Sequence, residues 1–129
     1  MATELKVLAL AGLLQVVQFA LMAIPLNLQL GTAYTAGPRD EPPSMTGNGA
    51  RLYRAFNNHF EALTLFTIAV VVVVLGNQSS AVTVACAWIY LAARILYVPA
   101  YLSGIPYLRS AIWSVGLLAT ATMMGAALI

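Results

Sequence analysis

Three long stretches of the chain carry no charged side chain: residues 7–38, 62–93 and 110–129. A helix needs about 20 predominantly apolar residues to cross the hydrocarbon core of a bilayer. The first and last stretches each hold one such span. The middle one is too long for a single span and is broken by Gly76-Asn77-Gln78-Ser79-Ser80, a turn composition. It therefore holds parts of two helices, whose far ends carry the charges. The pattern predicts helices over roughly 5–30, 48–76, 81–103 and 107–129, with the second and third forming a tight hairpin.

The long connection Gly37-Pro38-Arg39-Asp40-Glu41-Pro42-Pro43-Ser44 continues to Gly47-Asn48-Gly49. Its composition predicts an exposed loop whose charges are simply solvated. No internal repeat is present, and the run from Val70 to Val74 reads as lipid-facing or packed helix.

Composition agrees with this reading. The 129 residues are 61% hydrophobic and only 8% charged, whereas soluble domains carry about 25% charged residues. The class is an all-α, integral membrane four-helix bundle, a single domain over residues 1–129. Met1 to Lys6 holds one Lys and one Glu, and the apolar run behind it exceeds a usual signal-peptide core, so the first helix is expected to be retained. Five of the six basic residues (Arg39, Arg51, Arg54, Arg94, Arg109) fall on the side of the first and third loops. Lys and Arg near helix ends favour the cytoplasm, so both termini are expected on the opposite side. The small net charge of +2, with no basic run interleaved by aromatics, gives no support to a nucleic-acid partner.

Polar groups enter the apolar helices in two places. On the second helix Arg51, Arg54, Asn58 and Glu61 fall within about 80° of one another at 100° per residue, a single stripe. On the third, Tyr90, Arg94, Tyr97 and Tyr101 fall within about 60°. Glu61 and Arg94 each lie roughly 20 Å from the hairpin turn at 1.5 Å per residue, so they are level and can pair. A structural ion pair would account for those two, and an interfacial aromatic belt for Tyr97 and Tyr101. Neither explains why Arg51, Arg54, Asn58 and Arg109 crowd the same end. Ionisable residues in membrane spans mark binding or transport sites, and a surplus of guanidiniums over carboxylates points to an anionic ligand.

The run Arg51-x-x-Arg54-Ala55-x-x-Asn58-x-x-Glu61, then Arg94-x-x-Tyr97-x-x-x-Tyr101 and Pro106-x-x-Arg109-Ser110, resembles the MAPEG family, the membrane-associated proteins in eicosanoid and glutathione metabolism. Within that family it resembles a bacterial-type, microsomal glutathione transferase-like member. The resemblance covers nearly the whole chain. It implies a homotrimer of four-helix subunits with glutathione, the co-substrate, bound between neighbours near the cytoplasmic side. By the same resemblance Arg51, Arg54, Asn58, Glu61, Arg94, Tyr97 and Tyr101 would form the glutathione site, with Glu61 suited to the ammonium group. Arg109 would stabilise the thiolate and Ser110 would donate a hydrogen bond to it. The chain departs from some eicosanoid-forming members at Asn57, Tyr97 and Trp113, and it has Thr64 and Leu65 where many members have a proline. A general transferase or peroxidase acting on lipophilic electrophiles or lipid hydroperoxides therefore fits better than a specific prostaglandin or leukotriene activity. The partners implied are a lipophilic small molecule and membrane lipid.

Two other classes remain. One is a non-catalytic lipid-binding member of the same family, against which Arg109 and Ser110 argue. The other is a small four-helix exporter, which would want a carboxylate in the first span; residues 7–38 contain none. His59 lies off the polar stripe and reads as a helix or subunit contact. Cys86, the only cysteine, reads as a small buried hydrophobe. Gln15 and Gln18 read as interhelical hydrogen-bonding groups, and Pro25 and Pro99 as tolerated kinks. No metal-ligand cluster, phosphate loop or Ser-His-Asp set is evident.

Overall fold

The computed structural model describes residues 1–40 and 43–129. Glu41 and Pro42, expected in the exposed connection, lie outside the described residues. Four long helices, α1 (Thr3–Leu30), α3 (Gly47–Leu75), α4 (Ala81–Ser103) and α5 (Leu108–Leu128), run alternately up and down, with a one-turn helix α2 (Thr32–Thr35) after α1. All four long helices have the length and hydropathy of membrane spans. The spans match the expected ones to within a few residues. Two details differ: α2 was not expected, and α3 already begins at Gly47, which the sequence reading assigned to the loop.

Local chemistry sets the boundaries. The chain leaves α3 through Gly76 and Asn77, whose φ of 53° is left-handed, a conformation asparagine tolerates better than most residues. The amides of Gly76 and Gln78 then close back on the carbonyls of Val72 and Val73 at 3.0 and 2.9 Å. Ser80 opens α4 with a reciprocal cap: its hydroxyl accepts from the Thr83 amide and its own amide donates to Thr83 Oγ1. Gly104 ends α4 at φ +71°, and an added Cβ there would lie 3.2 Å from the Arg51 guanidinium. Both the dihedral and the close approach call for glycine.

Packing is closest between α4 and α5, then between α1 and α3. In a bilayer the hydrophobic effect contributes little to association between spans, so close approach and interhelical hydrogen bonds carry it. Small residues make that approach possible: Ala11, Ala69, Ala87, Ala93, Gly116 and Ala119 are all buried. Phe66 of α3 stacks flat on Tyr90 of α4, ring centroids 3.9 Å apart, at the middle of this core. Cys86 is buried in the same core, as expected. The valine run divides: Val70 and Val73 are fully buried, while Val71 and Val72 face outward.

The end of the bundle holding the hairpin turn is tied by one carboxylate. Glu4 of α1 is fully buried, and its Oε2 accepts from Ser79 Oγ at 2.6 Å and Thr83 Oγ1 at 2.8 Å. It thus places negative charge at the N-terminus of α4, where the helix dipole favours it. Glu4→Ala is expected to cost about 2 kcal/mol, because two charge-assisted bonds are lost and the Ser79 hydroxyl loses its acceptor, while Thr83 keeps the Ser80 carbonyl at 3.0 Å. Thermal unfolding in detergent would show the loss, and an unchanged midpoint would mean that the tie contributes nothing.

Candidate functional site

The opposite end of the bundle holds two adjoining cavities. The outer one, about 250 Å³, is lined by Arg54, Asn57, Asn58 and Glu61 of α3, Tyr97 and Tyr101 of α4 and Arg109 of α5. The inner one, about 110 Å³, lies between α3, α4 and α5. Glu61, Arg94 and Trp113 stand at its polar end, with Leu65, Tyr90 and Thr120 deeper in the membrane-spanning part. Glu61 belongs to both and forms the wall between them.

Tyr101 organises the outer cavity. Its hydroxyl accepts from Arg54 Nε at 2.8 Å, and the guanidiniums of Arg109 and Arg54 lie 4.8 and 5.7 Å from its ring centroid. Two cations are thereby held beside one aromatic ring, an arrangement that cation–π attraction favours. Tyr97 meets Tyr101 edge-on at 5.8 Å. Behind them Arg94 is 1% exposed, its guanidinium 4.2 Å from the Tyr97 ring centroid. Arg94 Nη1 donates to Asn58 Oδ1 at 3.0 Å, while Nε and Nη2 have no hydrogen-bond partner among the described residues.

Six of the nine residues expected at the site therefore line one cavity: Arg54, Asn58, Glu61, Tyr97, Tyr101 and Arg109. Arg94 joins them through Asn58 and reaches the inner cavity. The other two do not line either cavity. Arg51 donates from Nη1 to the Leu102 carbonyl at 3.0 Å, tying the start of α3 to the end of α4. Ser110 is exposed, and only its backbone carbonyl is engaged, by Ser114 Oγ at 2.8 Å.

The expected pairing of Glu61 with Arg94 is not formed. Both reach the inner cavity, but Glu61 is exposed on its outer side whereas Arg94 is buried between helices, where the Asn58 amide oxygen meets it first. The two groups face one cavity rather than each other. Asn57 and Trp113 are lining residues that the sequence reading noted only as departures from the family pattern. Trp113 follows Arg109 by four residues, so extending the helical wheel to α5 would have placed both on one face.

His59 is a helix contact, as expected: it is fully buried and hydrogen-bonds through Nδ1 to Gln15 Oε1 of α1. Gln15 meets its expectation. Gln18, also buried, does not, since neither of its side-chain polar atoms has a partner among the described residues. No group of three or more metal-ligating side chains occurs among the described residues.

The electrostatic character of the two cavities is a surplus of cations. Arg54, Arg94 and Arg109 stand against the single carboxylate of Glu61, inside a bundle end whose neighbouring surfaces are apolar. A family model, described as the MAPEG family, matches residues 7–129. No curated protein and no solved structure gives a match.

Proposed function

Since the chain belongs to the MAPEG family, we propose that it is a membrane-bound glutathione transferase or peroxidase, which activates the glutathione thiolate against lipophilic electrophiles or lipid hydroperoxides. The observation that carries this reading is the charge inventory of the paired cavities. Glutathione with an ionised thiol presents two carboxylates, one thiolate and one ammonium. Three guanidiniums and one carboxylate are its mirror image. Glu61 takes the ammonium, Arg54 and Arg94 the carboxylates, and Arg109 the sulfur. The tyrosines supply hydroxyls and ring surface.

The division into two compartments supports the second half of the reaction. The outer cavity suits a charged tripeptide, and the inner, mostly apolar one suits the reacting part of a molecule that arrives from the bilayer. Glu61 lines both cavities, so the two reactants would lie side by side. In a transferase step the thiolate sulfur bonds to the electrophilic carbon and a leaving group departs with the bonding pair. With a hydroperoxide, the sulfur attacks the terminal oxygen, the O–O bond breaks to give glutathione sulfenic acid and an alkoxide that takes a proton, and a second glutathione reduces the sulfenic acid to the disulfide and water. The protein's contribution is position and electrostatics, because the co-substrate carries the nucleophile.

The outer cavity, at about 250 Å³, is open at its side, where Arg54, Asn57, Glu61 and Arg109 are exposed. A neighbouring subunit would complete it, which fits a homotrimer with glutathione at the subunit boundary. The same basic residues favour a cytoplasmic position for this end.

Glu61→Gln keeps the side-chain shape and removes the charge. It is expected to weaken glutathione binding about tenfold or more with helix content and assembly unchanged, as loss of a charge-assisted contact implies. Isothermal titration of the detergent-solubilised variant would measure this. Wild-type affinity in the variant removes Glu61 from the site. If the wild-type protein itself binds no glutathione but retains lipid, a non-catalytic lipid-binding role replaces the enzymatic one.

A further inference from the structure

A groove of about 240 Å³ runs along the loop-facing half of α1, with a lining that shares no residue with the two cavities. Its floor is apolar, made by Phe19, Met22 and Leu26, and its rim is polar, made by Asn27, Thr35 and Arg39. Phe19, 55% exposed, opens the apolar end to the bilayer. From Phe19 to Asn27 the groove follows about 12 Å of helix.

The rim is built rather than loose. Asn27 Nδ2 donates to the Ala23 carbonyl at 2.9 Å, and Thr35 Oγ1 donates to Asn27 Oδ1 at 2.6 Å. Arg39 then grips the Thr35 carbonyl with two nitrogens, Nε at 2.9 Å and Nη2 at 2.7 Å. Rather than being only solvated, Arg39 is held by α2 with its guanidinium at the polar end of the groove. Arg39 is also shared with an adjoining depression of about 320 Å³, where Asp40 stands next to it. A cation and a carboxylate thus line one depression at the polar end of the apolar groove.

We propose that this groove binds an aminophospholipid of the phosphatidylethanolamine type, with its phosphate on Arg39, its primary ammonium on Asp40 and one acyl chain along Phe19, Met22 and Leu26. A guanidinium matches phosphate in charge and geometry. The adjacent carboxylate selects a headgroup that carries an ammonium beside its phosphate and repels one with net negative charge. The amphipathic division of the groove matches the amphipathic division of the lipid.

The test counts lipids retained by the purified, full-length protein in detergent with equimolar phosphatidylethanolamine and phosphatidylglycerol, read by native mass spectrometry. The wild-type protein is expected to retain phosphatidylethanolamine about fivefold over phosphatidylglycerol, the scale of one interfacial charge contact. Arg39→Gln should lower retention of both about fivefold, and Asp40→Asn should erase the preference. Arg39→Lys keeps the charge but loses the two-nitrogen grip, so it should retain lipid well above Arg39→Gln. Equal retention of the two lipids by the wild type, or wild-type retention by Arg39→Gln, overturns the proposal. So does an Arg39→Lys variant as poor as Arg39→Gln, which would assign the loss to the loop. Weakened glutathione binding in Arg39→Gln with lipid retention intact would give the groove to glutathione instead.

Discussion

Replacing Arg109 with alanine is expected to lower turnover with an aryl halide about 100-fold while changing glutathione affinity only a few-fold. Arg109 reaches the outer cavity from the first turn of α5, with its guanidinium beside the Tyr101 ring. That placement leaves the rest of the cation set in position when the side chain is removed, because Arg54 is held independently by the Tyr101 hydroxyl. A cation within a few ångströms of a thiol stabilises its ionised form far more than its neutral form. The variant should therefore raise the apparent thiol pKa of bound glutathione by about one unit or more. Ultraviolet difference absorbance across pH follows the thiolate directly. An unchanged titration with glutathione still bound would move the role from Arg109 to another arginine or to Ser110.

Arg94→Met is expected to separate stability from function. Arg94 is buried in a membrane-spanning helix with two nitrogens unpartnered, and no carboxylate pairs with it among the described residues. A buried charge without a counter-ion is costly, and even buried ion pairs replaced by apolar side chains of similar volume often leave the protein as stable or more stable, by about 1–4 kcal/mol. The ligand-free variant should thus unfold at a higher temperature than the wild type, since methionine fills the space and keeps van der Waals contact with Tyr97. Its glutathione affinity should fall by about tenfold or more, the cost of losing a charge-assisted carboxylate contact. A protein that retains such a residue gives up stability for binding, as functional sites commonly do. If the variant is less stable and binds glutathione normally, Arg94 is a structural tie between α3 and α4 through Asn58 and nothing more.

The residues also show where sequence reasoning reaches and where it stops. The spans were legible because hydropathy, length and turn composition are properties of contiguous sequence; Gly76 to Ser80 could hardly be anything but the hairpin turn. The depth of Glu61 and Arg94 was legible too, since rise per residue is fixed. Their pairing was not, because a helical wheel gives the angle of a side chain about its own axis and says nothing of how two helices are rotated against each other. The same gap hid Arg51, which lies on the polar stripe yet spends its guanidinium on the Leu102 carbonyl. That bond depends on where the end of α4 passes the start of α3. Arg39 was missed for a different reason: the short helix α2 that receives it has no periodic pattern to announce it. Trp113, by contrast, was within reach of the wheel.

The claim on which everything else rests is that the paired cavities take glutathione as a thiolate. The most direct test is ultraviolet difference absorbance of the purified, detergent-solubilised protein titrated with glutathione near neutral pH, with the S-methylated tripeptide as control. A saturable thiolate band with glutathione, and binding without that band for the control, is the expected result. Absence of saturable binding, or saturable binding of glutathione with no thiolate band, would contradict it.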